Sequence, residues 1–426
     1  MFQCKAKDMG PADCAKELHE EKSNQLKPRV EAVLDAEGCY VLFTTQALNE
    51  HKIEERIKKM REAIKAAGKP YADTADLRIY DANKIRDWTN RYISAVTAVC
   101  LWLGRPLLPG MQTWERWSMQ SEDQRFLFVP SDITDKYILQ LRCDLAEPRR
   151  VARIVGLSGL GKTRLALEAF RPLPGEENAA GNLHHRVVYV DAAFGIPYLA
   201  ATISDWCVQG LEGILVVDNC DLALHKDLQR QVGNAQSRLS LLTLDYNPEV
   251  APGTPTIHLK QSPDSLIKEM LKQVYKNLPE AELSRIAAFA QGFPRMAVML
   301  ADARLNEDPE MGNLKDDDLL EKLLWGRKSK SDQARDVIST CALFEQVGFT
   351  EDREEESLFV AEHICRISLD DFYRHVQDFI QHGVIDKYGR YIRVVPAPLA
   401  VRLAADWWRH CRPERARKLS RWTEIL

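Results

Sequence analysis

The sequence predicts an α/β chain organised around an open parallel sheet, on three observations. Residues 151–170 read VARIVGLSGLGKTRLALEAF, a short apolar strand, a glycine-rich turn and an amphipathic helix in succession. Further apolar runs, VVYVDAA (187–193), GILVVDNCD (213–221) and SLLTLD (240–245), are separated by helical stretches, which is the pattern of strands buried on both faces. From Ser262 the periodicity turns wholly helical, so the sheet is expected to end there.

Length and composition bound the rest. At 426 residues the chain is long enough for about three domains. Its 45% apolar and 28% charged content is that of a folded protein, without low-complexity segments or a repeat of fixed period. A net charge of -4 offers no global attraction to nucleic acid or an anionic membrane, so any basic contact has to be local. Ten cysteines form no Cys-x-x-Cys pair and no His/Cys cluster at zinc spacing, which fits a reducing compartment. The longest apolar run, Tyr92 to Gly104, is too short to span a bilayer, and Met1 is not followed by a secretory signal. A cytoplasmic protein with no membrane partner is expected.

Gly156, Gly159, Gly161, Lys162 and Thr163 follow the order G-x-x-x-x-G-K-T between strand and helix, the context a phosphate-binding loop requires. The glycines let backbone N–H groups face phosphate oxygens at a helix N-terminus, where the helix dipole also favours anions. Lys162 is expected at the β- and γ-phosphates and Thr163 on Mg²⁺. Asp218 ends the run 213–218, where a second Mg²⁺ ligand belongs. The next residue is Asn219, an amide that can hold water without accepting its proton. Slow hydrolysis is therefore expected unless Asp221 substitutes. Thr243 or Asp245, at the end of the following strand, is a candidate γ-phosphate sensor; the alternative is a strand-terminal Asp in a turn before Pro248.

Beyond the sheet, SLIKEMLKQVYKNL, ELSRIAAFAQ and FPRMAVMLADARL read as helices, with Gly292-Phe293-Pro294 breaking and restarting the pattern. Together, GLSGLGKTR, LVVDNCD and GFPRMAVML resemble the STAND class of P-loop ATPases, relatives of NB-ARC and NACHT proteins, over roughly residues 110–325. The resemblance implies ATP as ligand, Pro294 as an adenine contact and Arg164 among the nucleotide-binding residues, with Lys162 and Asp218 in the hydrolytic centre. It also implies a helical lid over 263–325, following a core of 151–262.

After a charged stretch, Asp316 to Asp332, come helical segments and then the strand-turn-strand KYGRYIRVVP. Residues 326–410 are similar to the winged helix that follows the lid in STAND proteins and holds their ADP form closed. Arg393 and Pro396 fall where relatives place a residue near the β-phosphate. A DNA-reading winged helix is disfavoured, because the segment 368–382 carries Asp370, Asp371 and Asp378 rather than a basic stripe.

The first residues contain QCKAKDM, with Gln3 and Lys5 one residue apart. With the apolar run ending at Thr44-Thr45 and the LRIYD unit ending at Asp81, residues 1–108 resemble the C-terminal half of Mrr-like PD-(D/E)xK nucleases. That resemblance implies catalytic roles for Gln3 and Lys5 on double-stranded DNA. The metal-binding Asp of the family lies upstream of Gln-x-Lys, where this chain has only Met1 and Phe2, so a partial nuclease domain is expected, with Asp8 or Glu17 as candidate substitutes. Residues 109–150 read as a linker. Residues 411–426 read as a tail or the start of a missing sensor, so the chain is expected to be part of a longer protein. Nuclease-like piece, ATPase and winged helix in this order are similar to bacterial antiviral STAND proteins. There a phage protein binds a C-terminal sensor, the subunits form homo-oligomers, and the effectors cut DNA. A nucleic-acid remodelling ATPase of the origin-binding type and a STAND-type transcription regulator are the alternatives.

Overall fold

A computed structural model describes residues 2–5, 9–20, 23–122, 128–173, 182–194, 199–246, 251–305, 324–325, 331–350 and 353–423. Asp8, Pro248 and most of the charged stretch 316–332 lie outside these. The chain divides into two compact units, Met1–Tyr92 and Ile93–Leu426.

The first unit is a three-stranded parallel sheet in the order β1 (Phe2–Lys5), β2 (Tyr40–Thr44), β3 (Leu77–Tyr80). Helices α1 (Pro11–Lys16), α2 (Pro28–Asp35), α3 (Glu50–Ala66) and α4 (Ala82–Thr89) accompany it. Leu18, Val30, Leu42, Met60, Ile64 and Ile79 are buried in its core. Asp81 is itself buried because its carboxylate has work to do: it accepts from Lys84 N at the start of α4 and from Leu48 N at 2.9 Å.

The second unit holds a six-stranded sheet in the order β4-β6-β7-β8-β5-β9. Its strands are β4 (Gln112–Thr113), β5 (Val151–Val155), β6 (Val187–Asp191), β7 (Glu212–Asp218), β8 (Arg238–Asp245) and β9 (Thr256–His258). All pairings are parallel except the antiparallel edge strand β4. The four runs expected as strands are β5 to β8; β4 and β9 are too short for periodicity to reveal. Helices α5 (Ile93–Trp102), α6 (Trp114–Glu122), α7 (Asp132–Leu145), α8 (Lys162–Ala169), α9 (Leu199–Val208) and α10 (Leu222–Val232) belong to this part.

Residues 109–150, read above as a linker, thus contain a strand and two helices. Trp114 and Trp117 are buried, Trp117 stacked on Tyr189 with ring centroids 4.4 Å apart. From α7, Arg142 donates to the Ala169 and Arg171 carbonyls at 2.6 and 2.5 Å, satisfying acceptors that the end of α8 leaves open.

Three helices follow, α11 (Asp264–Val274), α12 (Glu280–Ala290) and α13 (Pro294–Leu305), and Pro294 opens α13 as the sequence suggests. Then come α14 (Asp332–Cys341), β10 (Val347–Gly348), α15 (Glu354–Leu358), a π-helical turn (Phe359–Cys365) and α16 (Leu369–Gln381). The hairpin β11 (Ile385–Tyr388) and β12 (Tyr391–Val394) pairs with β10 in an antiparallel sheet of order β10-β12-β11. Helices α17 (Ala397–His410) and α18 (Pro413–Thr423) close the chain. The three helices after the large sheet share one apolar core with this helix and hairpin region, among them Leu271, Ile286, Met296, Val337, Phe372 and Leu399.

Arg153 is the largest fully buried side chain in the large sheet, and it is charged. It sits mid-β5 with no solvent exposure, pairs with Asp245 at 2.7 Å, and donates to Thr243 Oγ1 at 3.2 Å and to the Cys220 carbonyl at 3.1 Å. His225 binds Thr243 from the other side, Nδ1 to Oγ1 at 2.8 Å, and burial lowers its pKa to about 4, so it is neutral there. Removing one partner of a buried ion pair generally costs about 3–5 kcal/mol, whereas an apolar pair of matching volume is tolerated. We therefore expect Arg153→Met to lower the denaturation midpoint sharply in urea, and Arg153→Met with Asp245→Leu to recover part of the loss. Equal stability of wild type and the single variant would contradict this account.

Candidate nucleotide-binding site

The loop between β5 and α8 is shaped by what surrounds its glycines. Gly159 has φ +87°, and a Cβ there would stand 3.0 Å from Pro396 Cβ and 3.4 Å from Arg295 Cβ. A Cβ on Gly156 would meet the Leu259 carbonyl at 2.7 Å. Both positions need glycine, for conformation and for room.

Lys162, the first residue of α8, turns back over the loop and donates to the carbonyls of Gly156 at 2.7 Å and Leu157 at 3.2 Å. Burial lowers its pKa to about 8; Asp218 opposes that shift and Arg393 adds to it. Thr163 Oγ1 donates to Asp218 Oδ2 at 2.6 Å, and the Tyr189 hydroxyl donates to the same oxygen at 3.2 Å. One hydroxyl and one carboxylate are hard oxygen donors of the kind Mg²⁺ takes while keeping several waters. The residues present therefore fit a magnesium nucleotide, with Thr163 and Asp218 as the protein's ligands.

The cavity here has a volume of about 610 Å³. Its lining includes the apolar side chains of Val129, Leu266, Ile267, Met270 and Pro294. It also includes the loop, Gly159 to Thr163, with Asp218 and Asn219. Arg164 also lines the cavity, ion-paired to Glu168 at 2.8 Å, while its Nε and Nη1 are buried without a hydrogen-bond partner. The structure thus gathers Gly159, Gly161, Lys162, Thr163, Arg164, Asp218 and Pro294 around one volume; Gly156 is not in its lining but accepts a hydrogen bond from Lys162.

Side chains from beyond the sheet complete it. Arg393, on β12, lies over the rings of Tyr246 and Tyr388, its guanidinium carbon 4.4 and 4.9 Å from their centroids. Its Nε and Nη1 are buried without a hydrogen-bond partner. Arg295 on α13 makes a two-pronged pair with Asp386 on β11, both contacts at 2.8 Å. Tyr246, Arg295 and Asp386 escaped the sequence reading, because nothing in their local pattern marks a partner 91 residues away or more.

Two expectations are corrected here. Thr243 and Asp245 are not among the residues that line the cavity; both are bonded to Arg153, whose buried charge demands them. Asp221 is no substitute for the missing second acid, since it caps α10 by accepting from Leu224 N at 2.7 Å. The Asn219 side chain is held by an acid one strand over: Asn219 Nδ2 donates to Asp191 Oδ1 at 2.8 Å, as does Ala193 N at 2.9 Å. Burial chiefly raises the pKa of Asp191, with Asp218 adding to the shift.

Gln3 and Lys5 belong to the first unit. Lys5 Nζ pairs with Glu17 at 2.7 Å, and Lys27 holds the other oxygen of the same carboxylate at 3.3 Å. Burial raises the pKa of Glu17, but the two ammonium groups outweigh it and leave the carboxylate below its ordinary range. Glu17 is therefore present as a charged partner of lysines. Among the described residues no group of three or more potential metal ligands lies near Lys5.

The parallel sheet, the glycine loop heading α8 and the Thr163–Asp218 pair define a P-loop nucleotide-binding fold. No family model matches the sequence, and no curated protein matches it. Among solved structures the chain is similar to a STAND protein with a tetratricopeptide repeat sensor, PH0952 from Pyrococcus horikoshii, at 14% identity and TM-score 0.33. That match covers 68% of this chain, which spans 46% of the archaeal one. It is also similar to the Walker-type ATPase Paby2304 of Pyrococcus abyssi, at 14% identity and TM-score 0.34, over 66% of this chain and 99% of that one. Drosophila ORC bound to DNA gives 10% identity and TM-score 0.35, over 66% and 90%. Likenesses this low carry no argument, so the functional reading rests on the site. No helix among the described residues is long and apolar enough to cross a membrane.

The depressed Lys162 pKa sets a pH dependence. Between about 8 and 10.5 the unfolded chain binds more protons at this position than the folded one, so the contribution to stability rises with pH across that window. Attraction to phosphate runs the other way, because the ammonium is lost above about 8. Fluorescence titration with a labelled ATP analogue should show affinity falling several-fold from pH 7 to pH 9. Lys162→Ala should bind weakly at both values; a wild-type profile that does not change with pH would show that the lysine charge does not face phosphate.

Proposed function

We propose that this chain is an ATP- and Mg²⁺-binding switch of the STAND type, seen in its closed form. The observation that carries the reading is a phosphate loop and a C-terminal hairpin sharing one cavity, with Arg393 beside the loop lysine and Arg295 bonded to Asp386. A nucleotide in that cavity would touch the sheet, the helical lid and the winged helix together, so its phosphate state could decide whether they stay together. Pro294 and the apolar part of the lining would take adenine. Lys162 and the loop N–H groups would take phosphates, with Arg393 as a further cationic contact.

Opening would free surfaces for homo-oligomerisation. In this reading the first unit is a partial Mrr-like effector acting on double-stranded DNA. The setting is cytoplasmic antiviral defence, with a phage protein as trigger through a sensor outside this chain. The paired state of Lys5 and Glu17 supports the switch more than an independent nuclease. Asn219, with its side-chain N–H held by Asp191, supplies no base at the second acid position, which supports slow turnover.

Breaking the latch with Asp386→Ala should speed release of labelled nucleotide on the order of tenfold, a coupling of ordinary allosteric size. It should also shift the chain toward larger species with ATP in sedimentation, and Arg295→Asp with Asp386→Arg should restore both behaviours. Unchanged release in Asp386→Ala would remove the latch from the mechanism. ATP-bound protein that never cleaves plasmid DNA, wild type and latch variant alike, would leave a switch without an active nuclease. Exchanging the amide and acid, Asn219→Asp with Asp191→Asn, should raise ATP turnover roughly tenfold or more by supplying a base held by an amide; unaltered turnover would mean another step limits the reaction.

A further inference from the structure

Apart from the nucleotide cavity, the described residues contain one place where metal-ligating side chains converge. Glu115, in the first turn of α6, meets His184 and His185, on the short 3-10 turn His184–Arg186 that leads into β6. One ligand atom from each residue lies within 4.8 Å of the other two. The two imidazole centroids are 3.6 Å apart although the residues adjoin in sequence.

His184 supplies an independent indication. It is 5% exposed, and its Nδ1 is buried without a hydrogen-bond partner. A buried polar nitrogen left unpaired costs free energy, so such atoms usually answer to a ligand or an ordered water.

The scaffold under the cluster is fixed from several sides. Trp114, next to Glu115, donates Nε1–H to the Leu167 carbonyl at 3.1 Å and meets His184 edge to face at 5.7 Å. Arg186 pairs with Glu212 at 2.8 Å, and the Ser94 hydroxyl donates to the His185 carbonyl. Only the ends of Glu115 and His185 are free to adjust, with side chains 45% and 50% exposed. Around a tetrahedral zinc-like ion, ligand atoms at about 2.0–2.1 Å from the metal stand about 3.4 Å from each other. Closing the cluster from its present spread needs a shift on the order of 1 Å, within the reach of those two exposed side chains.

We propose that Glu115, His184 and His185 form a binding site for a divalent transition ion of the zinc class, with water completing the coordination. Two imidazoles and one carboxylate favour such an ion over Mg²⁺ or Ca²⁺, which prefer oxygen alone. The site is separate from the nucleotide cavity and does not depend on how that cavity is read. Its structural effect would be to tie α6 to the turn entering β6.

The test is titration of the untagged full chain, reduced and free of nucleotide, with Co²⁺ as a spectroscopic probe and Zn²⁺ as competitor. One equivalent of Co²⁺ should give a visible d–d band without the near-ultraviolet thiolate band, which separates this site from the ten cysteines. Glu115→Gln and His185→Ala change exposed side chains and should fold. Each is expected to weaken Co²⁺ binding about tenfold or more, and Zn²⁺ should raise Tm in the wild type but not in either variant. No binding, a thiolate band, or binding that both variants retain would overturn the proposal.

Discussion

A single buried charge governs how the large sheet presents its loops. Arg153 lies in the middle of β5, whose other residues are all apolar, and a guanidinium cannot be left buried there unpaired. It is satisfied by Asp245 and Thr243 on β8 and by the backbone just past β7 at Cys220. These contacts tie the carboxyl ends of three strands together. The phosphate loop follows β5 and Asp218 ends β7, so the same ties hold Thr163 and Asp218 in hydrogen-bonding distance across the intervening strand.

On that platform the cavity is assembled from segments far apart in the chain. The sheet contributes the glycine loop with Thr163 and Asp218, helices α11 and α13 contribute apolar side chains such as Ile267 and Pro294, and the C-terminal hairpin contributes Arg393. The hairpin also reaches the far side of the site: Gly389 N donates at 2.6 Å to the Ala193 carbonyl, in the turn whose N–H groups engage Asp191. Asp191 in turn holds Asn219. The hairpin and the Asn219 amide are therefore linked through one short turn.

The first unit follows a different logic. Gln3 and Lys5 stand two residues apart on β1, and the lysine is spent on Glu17. A carboxylate flanked by two ammonium groups has little charge left to hold a divalent ion.

Strands β5 to β8, the loop, and the helices after the sheet were legible because each is announced by local signals: apolar runs, glycine spacing, helical period and a proline at a helix start. Asp218 was legible for the same reason, standing at the end of an apolar run. The roles of Asp245, Thr243 and Asp221 were not, since a strand-terminal or loop carboxylate looks alike whether it faces ligand, pairs with a buried arginine or caps a helix. Arg153 was visible only as a charge in an apolar run, and its partner is 92 residues away. The pairing of Arg295 with Asp386 and the meeting of Glu115 with two histidines were beyond reach for the same reason. Sequence determined the elements and the phosphate loop, because those depend on neighbours a few residues apart. Only the tertiary structure decided which charges face the cavity and which are consumed in holding it, because that depends on the burial of each group and on partners brought together by the fold.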